Sequence, residues 1–179
     1  MIPVFEPEIT KSDRSALIKA LDDGEISGTF GKSIPQLEKN FAKYIGVKYS
    51  VAVTNGSSAL HLSISALNLP KKSEILVSST TNIASALAIT HNNCIPIPVD
   101  SDLNSWNLDA SLIEKKITKN TKAIVAVHFL GNPADMSKIN SIANKYNLKV
   151  IEDAAEAHGA KIGKKKIGSY GFCGCFSFY

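Results

Sequence analysis

The sequence predicts an α/β protein, a mostly parallel sheet with helices on both faces, and two observations carry that expectation. Short apolar runs near 49–54, 74–78, 95–99, 122–128, 148–153 and 173–178 alternate with helical stretches near 57–68, 81–91, 109–117 and 135–146. Strand, helix, strand repeated in this way is the pattern of a doubly covered sheet. The run Lys149-Val150-Ile151 then ends on Glu152 and Asp153, followed by the small residues Ala154, Ala155, Ala157 and Gly159. A buried parallel strand whose C-terminal end opens on a crevice has this form.

Taken in order, residues 1–9 read as an extended arm, because Pro3 and Pro7 oppose an early helix. Ser12 is placed to cap a helix over Asp13 to Leu21, with Ala16, Leu17, Ala20 and Leu21 as its apolar stripe and Gly24 at its end. Ile26 to Lys32 is a loop rich in Gly and Ser. Ser33-Ile34-Pro35-Gln36 has capping-box spacing, Leu37, Phe41, Tyr44 and Ile45 continue at helical spacing, and Gly46 stops that helix. Asp100 and Asp102 follow Pro98-Val99 as a strand-end turn, and Trp106 is expected to anchor this loop on the core. Lys161 and Lys164-Lys165-Lys166 flank Gly163 as a solvated hairpin turn. Gly171 to Tyr179 reads as a buried strand. No internal repeat, low-complexity tract or linker is present, so residues 1–179 are expected to form one domain.

Composition narrows the function. With 44% hydrophobic and 20% charged residues, the chain is that of an ordered protein with a real core. The net charge is +4, but Arg14 is the only arginine and the lysines are scattered among Asn and Glu, which is not the footprint of a nucleic-acid reader. Cys94, Cys173 and Cys175 cannot all pair and have no metal-ligand spacing; they read as buried thiols in a reducing cytosol. Cys173 and Cys175 would share one face of the last strand. The N-terminus lacks the features of a signal peptide, and no apolar run approaches the roughly 20 residues of a membrane helix. A cytoplasmic protein is expected, without membrane or nucleic-acid partners and without a metal. No Gly-x-Gly-x-x-Gly follows a strand, which disfavours a dinucleotide-binding dehydrogenase.

Two places invite chemistry. At Asn55-Gly56-Ser57-Ser58 the run Val51-Ala52-Val53 turns into a helix carrying Ala59, Leu60, Leu62, Ile64 and Leu67. Free N–H groups and the dipole at such a helix start form an anion site, which Gly56 would let a phosphate approach; a plain capped turn has the same residues. Asp153 is the other, a strand-end carboxylate that reads either as a helix cap or surface acid or as a ligand for a flat molecule.

Four strings in this order carry a resemblance: Thr54-Asn55-Gly56-Ser57-Ser58-Ala59-Leu60, His128-Phe129-Leu130-Gly131-Asn132-Pro133-Ala134-Asp135-Met136, Glu152 to Ala160, and Gly174-Cys175-Phe176-Ser177-Phe178-Tyr179. Together they resemble the DegT/StrS family, the fold type I enzymes dependent on pyridoxal 5'-phosphate (PLP) that aminate nucleotide-linked keto-sugars. Glu156 and Ile26-Ser27-Gly28 are most similar to its perosamine-synthase branch. The resemblance implies the large, cofactor-binding domain of such an enzyme, incomplete at its C-terminus. Its reaction would move an amino group from an amino acid, usually glutamate, to a nucleotide-diphosphate keto-deoxysugar, and such enzymes usually work as homodimers.

The resemblance also distributes roles. The amides of Ser57 and Ser58, beside Gly56, would hold the cofactor phosphate, with the Ser177 hydroxyl added. Asp153 would hold the proton on the ring nitrogen, which keeps the ring an electron sink. Glu156 would lie near the phenolic oxygen, although by itself it reads equally as an exposed loop acid. Asn82 stands in Ser79-Thr80-Thr81-Asn82-Ile83-Ala84-Ser85 where relatives usually stack an aromatic on the ring, so it would cover the ring face or bond its edge. Asn132 is placed beside the cofactor or in a plain turn. His128 is a packed strand-end histidine or a cofactor neighbour, and His158 matches a position commonly His. The lysine that carries the cofactor in relatives falls about three positions beyond Tyr179, so the 179 residues alone are expected not to transaminate. Two alternatives stay open: a PLP-dependent nucleotide-sugar 3-dehydratase, in which His replaces that lysine, and a non-catalytic, truncated binding module.

Overall fold

The structure is a computed structural model and describes residues 8–28 and 30–178. Most of the arm expected over residues 1–9, and Thr29 and Tyr179, lie outside the described residues. Among the described residues the contacts gather into two compact units, residues up to 44 with 48–52 and residues 45–47 with those from 53 on.

In the first unit, helix α1 spans Lys11–Asp22. Its cap is Thr10, not Ser12: Thr10 has extended backbone angles, its hydroxyl accepts the Asp13 N–H, and the Asp13 carboxylate accepts the Thr10 N–H at 2.8 Å. That reciprocal pair needs an acid three residues on, which Thr10 has. Leu17 and Leu21 of the expected stripe are exposed, and α1 has no buried residue. Helix α2 (Ser33–Ile45) starts without the expected Ser33 box. Ser33 is already helical, and the Glu25 carboxylate takes the Lys32 and Ser33 N–H groups at 2.9 and 3.1 Å. The strand expected near 49–54 does not form. Its backbone is drawn to α2 instead: the Ala52 N–H donates to Glu38 Oε1 at 2.8 Å, and the Ser50 hydroxyl donates to the Glu38 carbonyl at 2.6 Å.

The second unit holds a five-stranded sheet in the order β2-β1-β3-β4-β7, every neighbouring pair parallel. The strands are β1 (Glu74–Ser78), β2 (Ile95–Val99), β3 (Thr121–Val127), β4 (Lys149–Asp153) and β7 (Cys173–Cys175). Between the last two, β5 (Lys161–Ile162) and β6 (Lys165–Lys166) pair as the expected hairpin, with Gly163 at φ +61° in the turn. The last strand is shorter than expected and ends at Cys175; Phe178 is exposed.

Strand order decides which face each helix covers. From β1 the chain steps to β2 through α4 (Ile83–His91), then reverses past β1 to β3 through α5 (Ala110–Lys116), and continues to β4 through α6 (Met136–Lys145). Parallel crossovers are right-handed, so steps in opposite directions put their helices on opposite faces. Accordingly, Leu60 and Ile64 of α3 (Gly56–Ala66) and Ala88 and Ile89 of α4 pack with Ile75, Val77, Val125 and Ile151. Ile113 of α5 and Met136 and Ile139 of α6 pack with Leu76, Ile124 and Val150 on the other face. Each buried Leu or Ile stabilises the fold by about 1.5–3 kcal/mol. The reversal between β1 and β3 opens a crevice at the C-terminal ends of the strands, where open α/β sheets bind ligands.

Trp106 does not anchor its loop. It is 61% exposed, and the neighbouring Asn107 and Leu108 are buried in its place. Trp106 has φ +61°, a turn conformation that throws its ring outward. Cys173 and Cys175 do share the face toward α3, where the Ser63 hydroxyl and the Cys175 sulfur lie 3.1 Å apart.

Candidate functional site

Asp153 ends β4 and is 5% exposed. Its Oδ2 accepts the Ser85 hydroxyl at 2.6 Å and its Oδ1 accepts the Ala155 N–H at 3.2 Å. Burial pushes this carboxyl above the usual carboxylate range, and the hydrogen bonds from Ser85 and Ala155 pull it only part of the way back. A buried acid with neutral donors on both oxygens suits a ligand that brings a proton or a positive charge.

The anion site sits at the same edge of the sheet. Asp153 is in register with Cys175 on β7, and Ser177 follows two residues on. A Cβ placed on Gly56 would come within 2.9 Å of the Ser177 Cβ, so the start of α3 lies directly against Ser177. The Asn55-Gly56-Ser57 turn, Ser177 and Asp153 are thereby brought together. Asn55 caps α3, its Oδ1 accepting the Ser58 N–H at 2.9 Å, and the Ser58 hydroxyl lies 3.0 Å from that of Thr54. The Ser58 amide is therefore occupied by the cap, while the N–H groups of Gly56 and Ser57 stand in the first turn, where a helix offers no carbonyl partner. An anion between this turn and Ser177 would meet those amides, the helix dipole and the nearby hydroxyls.

The remaining sequence candidates hold the loops of this edge. Asn82 caps α4, its Oδ1 accepting the Ala84 N–H at 3.0 Å. Glu156 is exposed, and its Oε2 accepts the N–H of Leu130 at 2.9 Å, a residue with φ +49°. It thus clamps the 3-10 turn Phe129–Gly131 that follows β3. Asn132 joins the same loop to the β2–α5 connection by donating to the Ser105 carbonyl at 3.2 Å. His158 packs its ring against Phe176 and Phe178, with centroids 5.3 and 4.9 Å apart.

Three residues that the sequence did not single out prove central. Ser85, fully buried in the first turn of α4, bridges to Asp153. Asn107 accepts the Phe129 N–H and donates to the Asn132 carbonyl, both at 3.0 Å. Glu152, fully buried on the opposite side of β4, gathers the N–H groups of Gly168, Tyr170 and Gly171 at 2.8, 2.6 and 2.7 Å and faces His128 at 3.2 Å. Burial raises its pKa, but the hydrogen bonds from His128, Gly171 and Gly168 outweigh that effect and leave it below the ordinary value. His128 is the packed strand-end histidine of the first reading. No local signal in the sequence marks Ser85, whose partner lies 68 residues away.

Comparison with known proteins adds to this geometry. The profile of the DegT/DnrJ/EryC1/StrS aminotransferase family matches residues 7–179. The chain is 43% identical over 178 residues to GDP-perosamine synthase from Caulobacter vibrioides, covering 99% of this chain and 48% of that protein. Among solved structures, an aminotransferase from Psychrobacter cryohalolentis superposes with a TM-score of 0.93 at 35% identity, over 96% of this chain and 44% of that one. The E. coli GDP-4-keto-6-deoxy-D-mannose-3-dehydratase with bound hydrated PLP superposes with a TM-score of 0.89 at 31% identity, over 94% and 44% of the two chains. The chain spans about half the length of the relatives it matches.

Proposed function

Because this chain belongs to the DegT/DnrJ/EryC1/StrS aminotransferase family, we propose that it is part of the large, cofactor-binding domain of a PLP-dependent sugar aminotransferase. Its reaction moves an amino group from an amino acid, glutamate, to a nucleotide-linked keto-deoxysugar. The observation that carries the reading is that the Asp153 carboxylate and the Gly56–Ser177 contact lie at the same end of the sheet. Both ends of PLP find a fitting group there: a buried anion for the ring nitrogen and a helix start for the phosphate.

PLP, when bound, supplies an electron sink for the carbon that carries the transferred amino group. The chain's own residues make that sink effective. Asp153 holds the proton on the ring nitrogen, because an ionised acid in a dry site favours a charged partner. The amides of Gly56 and Ser57, the Ser58 hydroxyl and Ser177 would hold the phosphate. Glu156 fixes the Leu130 turn through one carboxylate oxygen, and its other oxygen would be the group available to the phenolic side of the ring. Asn82 spends its oxygen on the cap, so only its NH2 group and amide plane would be left to cover the ring face or bond its edge.

The protein works in the cytoplasm as a homodimer. Free thiols at Cys94, Cys173 and Cys175 support the first reading, and the exposed apolar residues of α1 support the second. No helix among the described residues is long and apolar enough to cross a membrane.

PLP binding tests the core of the reading. The chain should take up PLP, measured by equilibrium dialysis, and Asp153→Ala should lose at least about tenfold in affinity, the cost of one charge-assisted contact. Equal binding by both proteins would sink it. In the protein that carries this sequence, glutamate-dependent amination of GDP- or dTDP-linked keto-deoxysugars is then read by mass spectrometry. A nucleotide-sugar 3-dehydratase is the second reading, supported by the likeness to the E. coli enzyme; it predicts loss of water from the sugar and no amino-sugar product.

A further inference from the structure

The Ser85 hydroxyl has one proton, and the 2.6 Å contact with Asp153 Oδ2 uses it, since an ionised carboxylate only accepts. Ser85 Oγ also lies 2.8 Å from Thr81 Oγ1. With the Ser85 proton committed, Thr81 must be the donor in that pair. The two hydroxyls therefore form a chain with one direction, from Thr81 to Ser85 to Asp153. Ser85 sits in the first turn of α4, so the positive end of the helix dipole stands behind the same carboxylate. Counting acceptor sites, Ser85 takes one on Oδ2 and Ala155 one on Oδ1, which leaves one lone pair free on each oxygen.

We propose that Ser85, oriented by Thr81, is the positioning residue that keeps the Asp153 carboxylate ionised and turned so that its free lone pairs meet a protonated ring nitrogen. The inference rests on the role given to Asp153 above and adds two residues to it. The ionisable groups around Asp153 are His128, Glu156 and Cys175, and the charge of Glu156 opposes that of Asp153. None of them donates to the Asp153 oxygens, so the neutral relay supplies what they do not.

The experiment compares the full chain with Ser85→Ala, Ser85→Thr, Thr81→Val and Asp153→Asn. The ionisation of Asp153 is followed by infrared difference spectra against Asp153→Asn without cofactor, and PLP affinity is measured across pH. Ser85→Ala should move the Asp153 titration to higher pH and weaken PLP binding about tenfold, the effect of one hydrogen bond to a charged group. The deficit should widen as pH falls, because more of the variant's Asp153 is then protonated. Thr81→Val should shift both readouts in the same direction by less, and it decides the matter if Ser85→Ala does not fold. Ser85→Thr, which keeps the hydroxyl, should restore the titration. An unchanged titration and an affinity within twofold in Ser85→Ala and Thr81→Val, with binding lost in Asp153→Asn, would overturn the relay and leave the role of Asp153 standing. Equal PLP binding by Asp153→Asn would overturn both.

Discussion

His128 Nε2 lies 3.2 Å from Glu152 Oε2, and both side chains are fully enclosed. The direction of that bond follows from the other ring nitrogen, since Nδ1 accepts the Ala134 N–H at 3.0 Å. The proton is therefore on Nε2, pointing at the carboxylate. Through this pair the loop after β3 and the segment that leads into β7 are tied to one residue of β4, back to back with Asp153.

Glu152 should be among the least replaceable residues of the chain. Glu152→Gln turns an NH2 group toward backbone N–H donors and should cost about 3–5 kcal/mol, as breaking a buried charged network does. Urea denaturation at neutral pH measures it. The pH course has a definite sign: the pKa of Glu152 is depressed on folding, so its contribution is present above the unfolded value of 4.5 and is lost as pH falls through the folded one.

Asp153 should show the opposite course. Burial raises its pKa, so its contribution is fully present below the unfolded value of 3.8 and is lost as pH rises through the folded value. In the cofactor-free chain, Asp153→Asn should remove that decline while abolishing tight PLP binding. Stability curves of the two proteins from pH 3 to pH 8 check this; a wild-type curve parallel to that of the variant would contradict it.

Gly56→Ala tests the approach of α3 to Ser177. The added methyl meets a Cβ at 2.9 Å and forces a shift, which should cost about 1–3 kcal/mol. Because the shift falls on the anion site, inorganic phosphate should also compete less well with PLP. Thermal denaturation and a phosphate competition titration report the two effects separately.

Asn107 and Trp106 make a paired prediction. Asn107→Ala leaves the Phe129 N–H and the Asn132 carbonyl without their partner and should destabilise by about 1–3 kcal/mol. Trp106→Ala, at an outward-facing position, should stay within about 0.5 kcal/mol. Chemical denaturation of both variants checks the ranking.

The alternation of Ile75-Leu76-Val77, Ile124-Val125 and Val150-Ile151 with helical stretches made the sheet legible, because burial on both faces leaves a continuous apolar run that local sequence displays. Asp153 and the Asn55–Ser58 turn were legible for a similar reason, each being a short polar signal at the end of such a run. Val51-Ala52-Val53 looked the same as a strand and is not one, because Glu38 captures its backbone. Ser85 and Asn107 were invisible: a serine among Ile83, Ala84, Ala86 and Leu87, or an asparagine in a loop, has no local feature that tells of a partner 68 or 22 residues away.

By itself the sequence determined where the five sheet strands and the helices between them fall along the chain, the strand-end acid and the anion-ready helix start, since periodicity and composition act over a few residues. The tertiary structure alone decided that these features share one edge, that Ser85 rather than a charged group supports Asp153, and that Asn107 rather than Trp106 ties down its loop. Those outcomes depend on which buried donors and acceptors are brought within 3 Å by strand order, and a buried polar group must take the partner that folding places beside it.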